Sequence, residues 1–351
     1  MPAFREADVA AVLSERKGLC RVLLDDGDRA YALTDLIGPV AVGDRVVLNT
    51  TAVDLGLGSG GWHVVHWNLT RGPWSQAGPG HLMKLRYTSL QTDTGAGEET
   101  GPDEPTRLDE LPVVAAGVHS QLPVIAAAVA AERPGSRLVY VMTDGAALPL
   151  ALSDQVAELT RVGLVAATVT AGHAFGGDVE ALNVPSALVL ARHRLAADVV
   201  VVAMGPGGAG TGTRVGYTAL EVAPVLDAVA WLGGRAIACL RCSEADPRSR
   251  HVGISHHSTT ALEAVRSAVE VPYPPPLEPP AASRHQWVLI DPGDPCELLL
   301  AAGLTVTTMG RGPADDRLYF AAAAAAGMWA ARAIGPIGGR SRSTGADDSD
   351  P

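Results

Sequence analysis

The chain has 351 residues, 47% of them hydrophobic, 19% charged and 4% aromatic, with a formal net charge of −11. An acidic chain with no Lys/Arg run and no interleaved aromatics is poorly suited to a phosphate backbone, so no nucleic-acid partner is expected. Four cysteines (Cys20, Cys239, Cys242, Cys296) are too few for a disulfide scaffold, and with no apolar signal core and no apolar run near ~18 residues the expectation is a cytoplasmic protein without a membrane partner.

The first 70 residues read as short strands joined by turns. Val9-Ala-Ala-Val-Leu alternates poorly. Arg21-Val-Leu-Leu runs into the turn Asp25-Asp-Gly-Asp, and Ala30-Tyr-Ala-Leu is the return strand. Gly43-Asp-Arg-Val-Val-Leu-Asn and Trp62-His-Val-Val-His-Trp complete the set. The expectation for 1–70 is a small β-barrel or sandwich. Residues 71–110 contain Gly-Pro pairs and an acidic, weakly hydrophobic run at 92–105, the composition of a linker or mobile loop whose removal is tolerated.

From Leu111 short β-branched runs alternate with helical periodicity, the pattern of βαβ units. Strands are expected at 113–118, 138–143, 165–170, 199–204, 236–241, 287–290 and 305–308. Helices are expected at 124–132, 153–162, 184–195, 219–232, 262–269, 295–302 and 317–334. The fold class is therefore α/β, a parallel Rossmann-like doubly wound sheet over 111–335, preceded by the small barrel. The Gly/Ser/Asp-rich end, 336–351, reads as a disordered tail.

In open parallel sheets, ligands lie beyond the carboxyl ends of the strands. Most of these strands run into small or polar loops. The sharpest is Gly205-Pro-Gly207-Gly208-Ala-Gly210-Thr211-Gly-Thr213, which fits G-x-G-x-x-G after the apolar run ending at Met204. Such glycines let backbone N–H groups approach a phosphate. The following helix cannot begin before about Tyr217, and Glu244 and Asp246 lie farther along than the ~20 residues of the dinucleotide pattern. The loop is similar to the phosphate-cradling loop of the tubulin-like GTPases, with Arg214 where that family has glycine. Tight structural packing is the competing reading of the same glycines.

Arg248-Ser-Arg250-His251-Val-Gly-Ile-Ser-His256-His257 gathers two arginines and three histidines ahead of a helix. Thr260 with Glu263 reads as a capping box, which puts His256 and His257 just before the helix start. A helix N-terminus favours the neutral imidazole, suited to proton transfer or metal binding. Asp144 follows a strand and can act as a base or as a helix cap. His173, Asp178 and His256 supply a mixed set for a divalent metal, without the spacing of a named motif. Cys239-Leu-Arg-Cys242 places its two thiols on opposite faces of a strand, which reads as a pair of buried structural cysteines.

Val141-Met-Thr-Asp-Gly-Ala-Ala-Leu-Pro, Ala174-Phe-Gly-Gly-Asp, Arg250-His-Val-Gly-Ile-Ser-His-His-Ser, Thr308-Met-Gly-Arg-Gly and Asn49-Thr-Thr-Ala-Val-Asp-Leu-Gly-Leu-Gly-Ser-Gly-Gly together resemble an uncharacterised bacterial family, mainly actinobacterial, known as a domain of unknown function. The resemblance implies one intact unit and brings no activity or cofactor. The leading expectation is an enzyme acting on a small anionic ligand, with phosphorylated ligands in that class. Gly205, Gly207, Gly208, Gly210, Thr211, Thr213, Arg248 and Arg250 would hold the anion. His251, His256, His257 and Asp144 would do proton or metal work. The alternative is a non-catalytic sensor or scaffold for a nucleotide-like ligand. A homo-oligomer is a further expectation.

Overall fold

The computed structural model describes residues 1–101 and 103–335; the expected tail at 336–351 lies outside them. The N-terminal strands are β1 (Phe4–Arg16), β2 (Leu19–Leu24), β3 (Arg29–Ala32), β4 (Arg45–Asn49) and β5 (Trp62–Asn68), with short helices α1 (Thr34–Ile37) and α2 (Thr51–Asp54) between them. They close into a barrel in the order β1-β2-β3-β5-β4, with β1 pairing back onto β4. The poor alternation at the start has a physical cause. The β1–β2 register shifts between Val9 and Ala11 and again between Val12 and Ser14, and each extra residue resets the inward-outward alternation.

The connecting segment carries a small hairpin, β6 (Met83–Lys84) and β7 (Thr92–Asp93). It lies against the main domain. The buried Lys84 ammonium donates to the carbonyls of Thr170 (2.9 Å) and Ala174 (2.5 Å) and pairs with Glu180 at 2.6 Å.

The main domain is built on β8 (Pro112–Ala116), β9 (Leu138–Thr143), β10 (Ala167–Ala171), β11 (Val179–Ala181), β12 (Val199–Met204) and β13 (Arg235–Cys239), then β14 (Cys242–Ser243), β15 (Gly253–Ile254), β16 (Glu270–Tyr273) and β17 (Gln286–Leu289). Its helices are α3 (Leu122–Glu132), α4 (Asp154–Arg161), α5 (Val184–His193), α6 (Val222–Trp231), α7 (His256–Ala264), α8 (Pro295–Ala301) and α9 (Arg317–Ala333). The large sheet has eight strands, all parallel, in the order β11-β10-β9-β12-β8-β13-β16-β17. Strands β8, β9 and β12 are buried along their whole length, which is why they read as continuous apolar runs. One face packs on α5, α6 and α7, and the other on α3, α4, α8 and α9.

The large sheet departs from expectation at three places. Strand β11 is only Val-Glu-Ala at the sheet edge, too short to show a period. Strand β16 contains Pro272, which reads as a breaker. It is tolerated because β16 meets β13 only at Ile237↔Glu270, so no ladder bond on that side needs the missing N–H. Residues 305–308 form no strand; Thr308 makes one isolated bridge to Arg311.

Candidate anion site at the switch point

The chain leaves β8 for α3 on one face of the sheet and leaves the adjacent β12 for α6 on the other. Loops that diverge in this way open a crevice at the strand ends, the usual ligand position in open α/β sheets. Here the crevice is a cleft of about 680 Å³. It is floored by His119 and Ser120 after β8 and by Ser153 at the start of α4. One wall is the glycine loop after β12, and the other is Arg241, Arg248, Arg250, His251 and His257. Gly58, from the barrel loop between α2 and β5, reaches its rim.

The glycine loop is a narrow flap. Residues Ala209 and Thr218 bond across it, as do Thr211 and Gly216. Gly207 has φ +93° and Gly212 φ +82°, left-handed values that side chains disfavour. Among the described residues, the amide N–H groups of Gly207, Gly208 and Gly210 donate to no protein acceptor. A Cβ on Gly205 would lie 2.5 Å from the Ala147 carbonyl, so this glycine serves close packing. Both readings of the loop therefore hold, at different glycines. Thr211 and Thr213 bond to each other at 2.9 Å and close the flap instead of lining the cleft. Arg214 is paired with Glu263 on α7 and pins the flap there.

The opposite wall rests on two buried carboxylates. Asp246 takes the Arg248 Nε at 2.9 Å on one oxygen and Nη2 at 2.8 Å on the other, with Arg241 and Arg311 at 3.6 and 3.7 Å. The Arg248 hydrogen bonds hold this carboxyl well below the usual range. Asp316 accepts from Ser243 Oγ at 2.6 Å and from Arg311 Nε at 3.1 Å. Arg250 is exposed at the cleft and, among the described residues, has no carboxylate partner. Its guanidinium lies about 4 Å from where a Gly212 side chain would begin.

The histidine segment starts its helix earlier than Thr260 and Glu263 suggest. Ser255 is the cap, accepting from the His257 amide at 3.2 Å, so His256 and His257 form the first turn of α7. Thr260 is buried and Glu263 turns to Arg214. Burial first, and the neighbouring arginines second, push His251 down to about 4 and His257 to about 3. Arg241 Nη1 donates to His257 Nδ1 at 3.2 Å, which leaves the neutral ring its proton on Nε2. The His257 ring stacks on Tyr217 with centroids 3.8 Å apart.

Donor atoms of His251, His256 and His257 lie within 4.8 Å of one another, the group among the described residues best placed to hold a metal ion. The buried, unpartnered Nε2 of His256 suits a ligand. Against it, Arg241 occupies His257 Nδ1, and the surrounding guanidinium groups repel a cation. As arranged, the residues fit an anion better than a metal.

Asp144, His173 and Asp178 do not join this cleft. Asp144 accepts from the His173 amide at 2.9 Å, and both line a separate pocket beside Lys84. Beside Asp144, burial raises the Glu221 carboxyl to about 7. Asp178 accepts from Thr168 N and Oγ1 at 2.8 and 2.9 Å, tying β11 to β10. It lines a cavity of about 740 Å³ between the barrel, the connecting segment and β11. That cavity is larger, but its Glu180 and Arg194 are spent on Lys84 and on the backbone of 97–100. The expected trio His173, Asp178 and His256 is thus dispersed, because β10 and β11 lie at the far edge of the sheet from α7.

Sequence reasoning placed His119 in one of the polar loops after strands but gave it no partner, and it missed Arg241 and Ser153. Arg241 sits between two buried cysteines that face opposite sides of the sheet. His119 Nε2 and Ser153 Oγ are 2.7 Å apart in space and 34 positions apart in sequence, so no local pattern signals them.

The fold is an α/β domain on an eight-stranded parallel sheet, preceded by a closed N-terminal barrel. Residues 29–327 match the family described as a protein of unknown function (DUF3866), and the chain belongs to that family. No curated protein and no solved structure matches the chain.

Proposed function

We propose that this protein is an enzyme acting on a small anionic ligand, of the phosphate or carboxylate class, held in the switch-point cleft. The observation that carries the reading is the juxtaposition of exposed Gly207, Gly208 and Gly210 amides with Arg250 on the facing wall; among the described residues these amides have no protein acceptor and Arg250 has no carboxylate partner. N–H groups open to a ligand in a concavity and an exposed cation opposite them are the elements of an oxyanion site. His251 and His257, held neutral by burial and the neighbouring arginines, line the same cleft, and His257 offers its Nε2 hydrogen to the anion. Arg248 acts through Asp246, as the brace of that wall.

Calorimetric titration with phosphate, pyrophosphate and common nucleotides tests the reading. The parent chain should bind at least one of them, and Arg250→Ala should weaken that binding about tenfold or more. No binding of any of these anions removes the reading. Binding without turnover of any bound ester assigns the cleft to a sensor.

A further inference from the structure

We propose that Ser153 and His119 form a nucleophile–base pair for acyl transfer at the floor of this cleft. The inference rests on the cleft being a ligand site, and its test is independent of anion binding.

Ser153 caps α4, accepting from the Val156 amide at 3.0 Å. Its hydroxyl hydrogen is left for another acceptor, and His119 Nε2 lies 2.7 Å away. The other ring nitrogen, Nδ1, is 3.1 Å from the Met204 carbonyl oxygen. A carbonyl only accepts, so Nδ1 carries the hydrogen and Nε2 is the free base. Tyr140 closes the back of the ring, its hydroxyl 3.3 Å from Nδ1 and within reach of the Ala203 and Met204 carbonyls. A nucleophile, a base and an acceptor that orients the base are thus supplied by the chain following β9, the chain following β8 and the last residue of β12, around the switch point. That is the general arrangement of an activated serine. A capping serine by itself needs no imidazole on its hydroxyl. Burial keeps His119 neutral, lowered to about 4, so the base form prevails at neutral pH. Both residues line the cleft.

The substrate class that fits is a carboxylic ester or thioester bearing an anionic group, seated on the glycine loop and Arg250. Ser153 Oγ bonds to the acyl carbon as its proton passes to His119 Nε2. The alcohol or thiol leaves with that proton, giving acyl-Ser153. Water then attacks the acyl carbon and gives a proton to Nε2. The acyl–Oγ bond breaks, Oγ regains the proton, and the carboxylic acid departs. The net change is ester plus water to acid plus alcohol.

The probe is a neutral fluorophosphonate, incubated with the full chain and read by intact mass and peptide mapping. Oγ bonds to phosphorus and fluoride leaves. A single adduct on Ser153 is expected. It should be absent in Ser153→Asn, which keeps a helix cap, and about 100-fold slower in His119→Gln. Labelling by this neutral probe and calorimetric phosphate binding are both read on the parent chain, so anion binding and nucleophile activation can fail separately. In the parent chain the labelling rate should be level from pH 8 to 6 and fall toward pH 4. No adduct, an adduct on another serine, a rate indifferent to His119→Gln in a folded variant, or a rate rising tenfold per pH unit in the parent would overturn the proposal.

Discussion

The Asp246 carboxylate is 1% exposed and is matched by Arg248 on both oxygens, with Arg241 and Arg311 just beyond. Removing it takes the counter-charge from Arg241 and Arg248 and leaves Arg311 with Asp316 alone. Breaking a buried pair on one side typically costs about 3 kcal/mol, and Asp246→Ala should lose roughly that in urea unfolding. His119 gives a pH signature of the opposite chemical type. Its folded-state value of about 4 lies below the ordinary 6.5. Between those values the unfolded chain binds a proton that the folded chain does not. Its stability contribution is therefore full above pH 6.5, declines as pH falls toward 4, and is level below. The decline is about 1.4 kcal/mol per pH unit for one such group. Melting curves of the parent and His119→Gln at pH 7 and pH 4.5 should show a smaller acid loss in the variant.

At the scale of elements, α9 and α3 show how small residues set a helix contact. The run Ala321–Ala326 is buried, and a Cβ on Gly327 would fall 2.6 Å from the Ile125 carbonyl and 2.8 Å from Ala128 Cβ. Gly327→Val forces the two helices apart, at roughly 1–3 kcal/mol, measurable as a lower melting temperature. The segment 92–105 also makes more contacts than its composition suggests. Glu98 accepts from the Leu182 amide at 3.1 Å, and Arg194 donates to the Thr100 carbonyl at 2.5 Å and pairs with Glu104 at 3.8 Å. Gly97 is buried, and a side chain there would strike Val179 and Leu190. Deleting 92–105 should therefore lower the melting temperature by several degrees, not leave it unchanged. Arg194→Ala should give part of that loss.

Across the whole molecule the barrel and the sheet share side chains. Phe175, from the loop between β10 and β11, is 4% exposed and belongs to the barrel's apolar cluster. Arg16 and Arg21 of the barrel both pair with Asp154 at the start of α4. Phe175→Ala empties that joint, at about 3–5 kcal/mol, and scanning calorimetry should then resolve a separate, earlier barrel transition. Gly58 lines the cleft from the barrel side, so the same variant should also weaken anion binding. A single unchanged transition would show that the barrel does not depend on Phe175.

The class of fold was legible in the chain because buried parallel strands must be apolar on both faces. The runs at β8, β9 and β12 could satisfy little else. The glycine loop and the arginine–histidine segment were legible as polar exceptions placed after such strands. Which of those exceptions meet was not. Asp144, His173 and Asp178 follow strands of the same parallel set, but the order β11-β10-β9-β12-β8-β13 carries them toward one edge and leaves the switch point to β8, β12 and β13. Strand order is a tertiary outcome of crossover packing, and no local residue pattern encodes it. The same holds for charge. Arg248 and Arg250 are alike in sequence, yet the buried Asp246 engages the first, while the second has no carboxylate partner among the described residues. The partner of His119 was likewise set by where two loops converge in space.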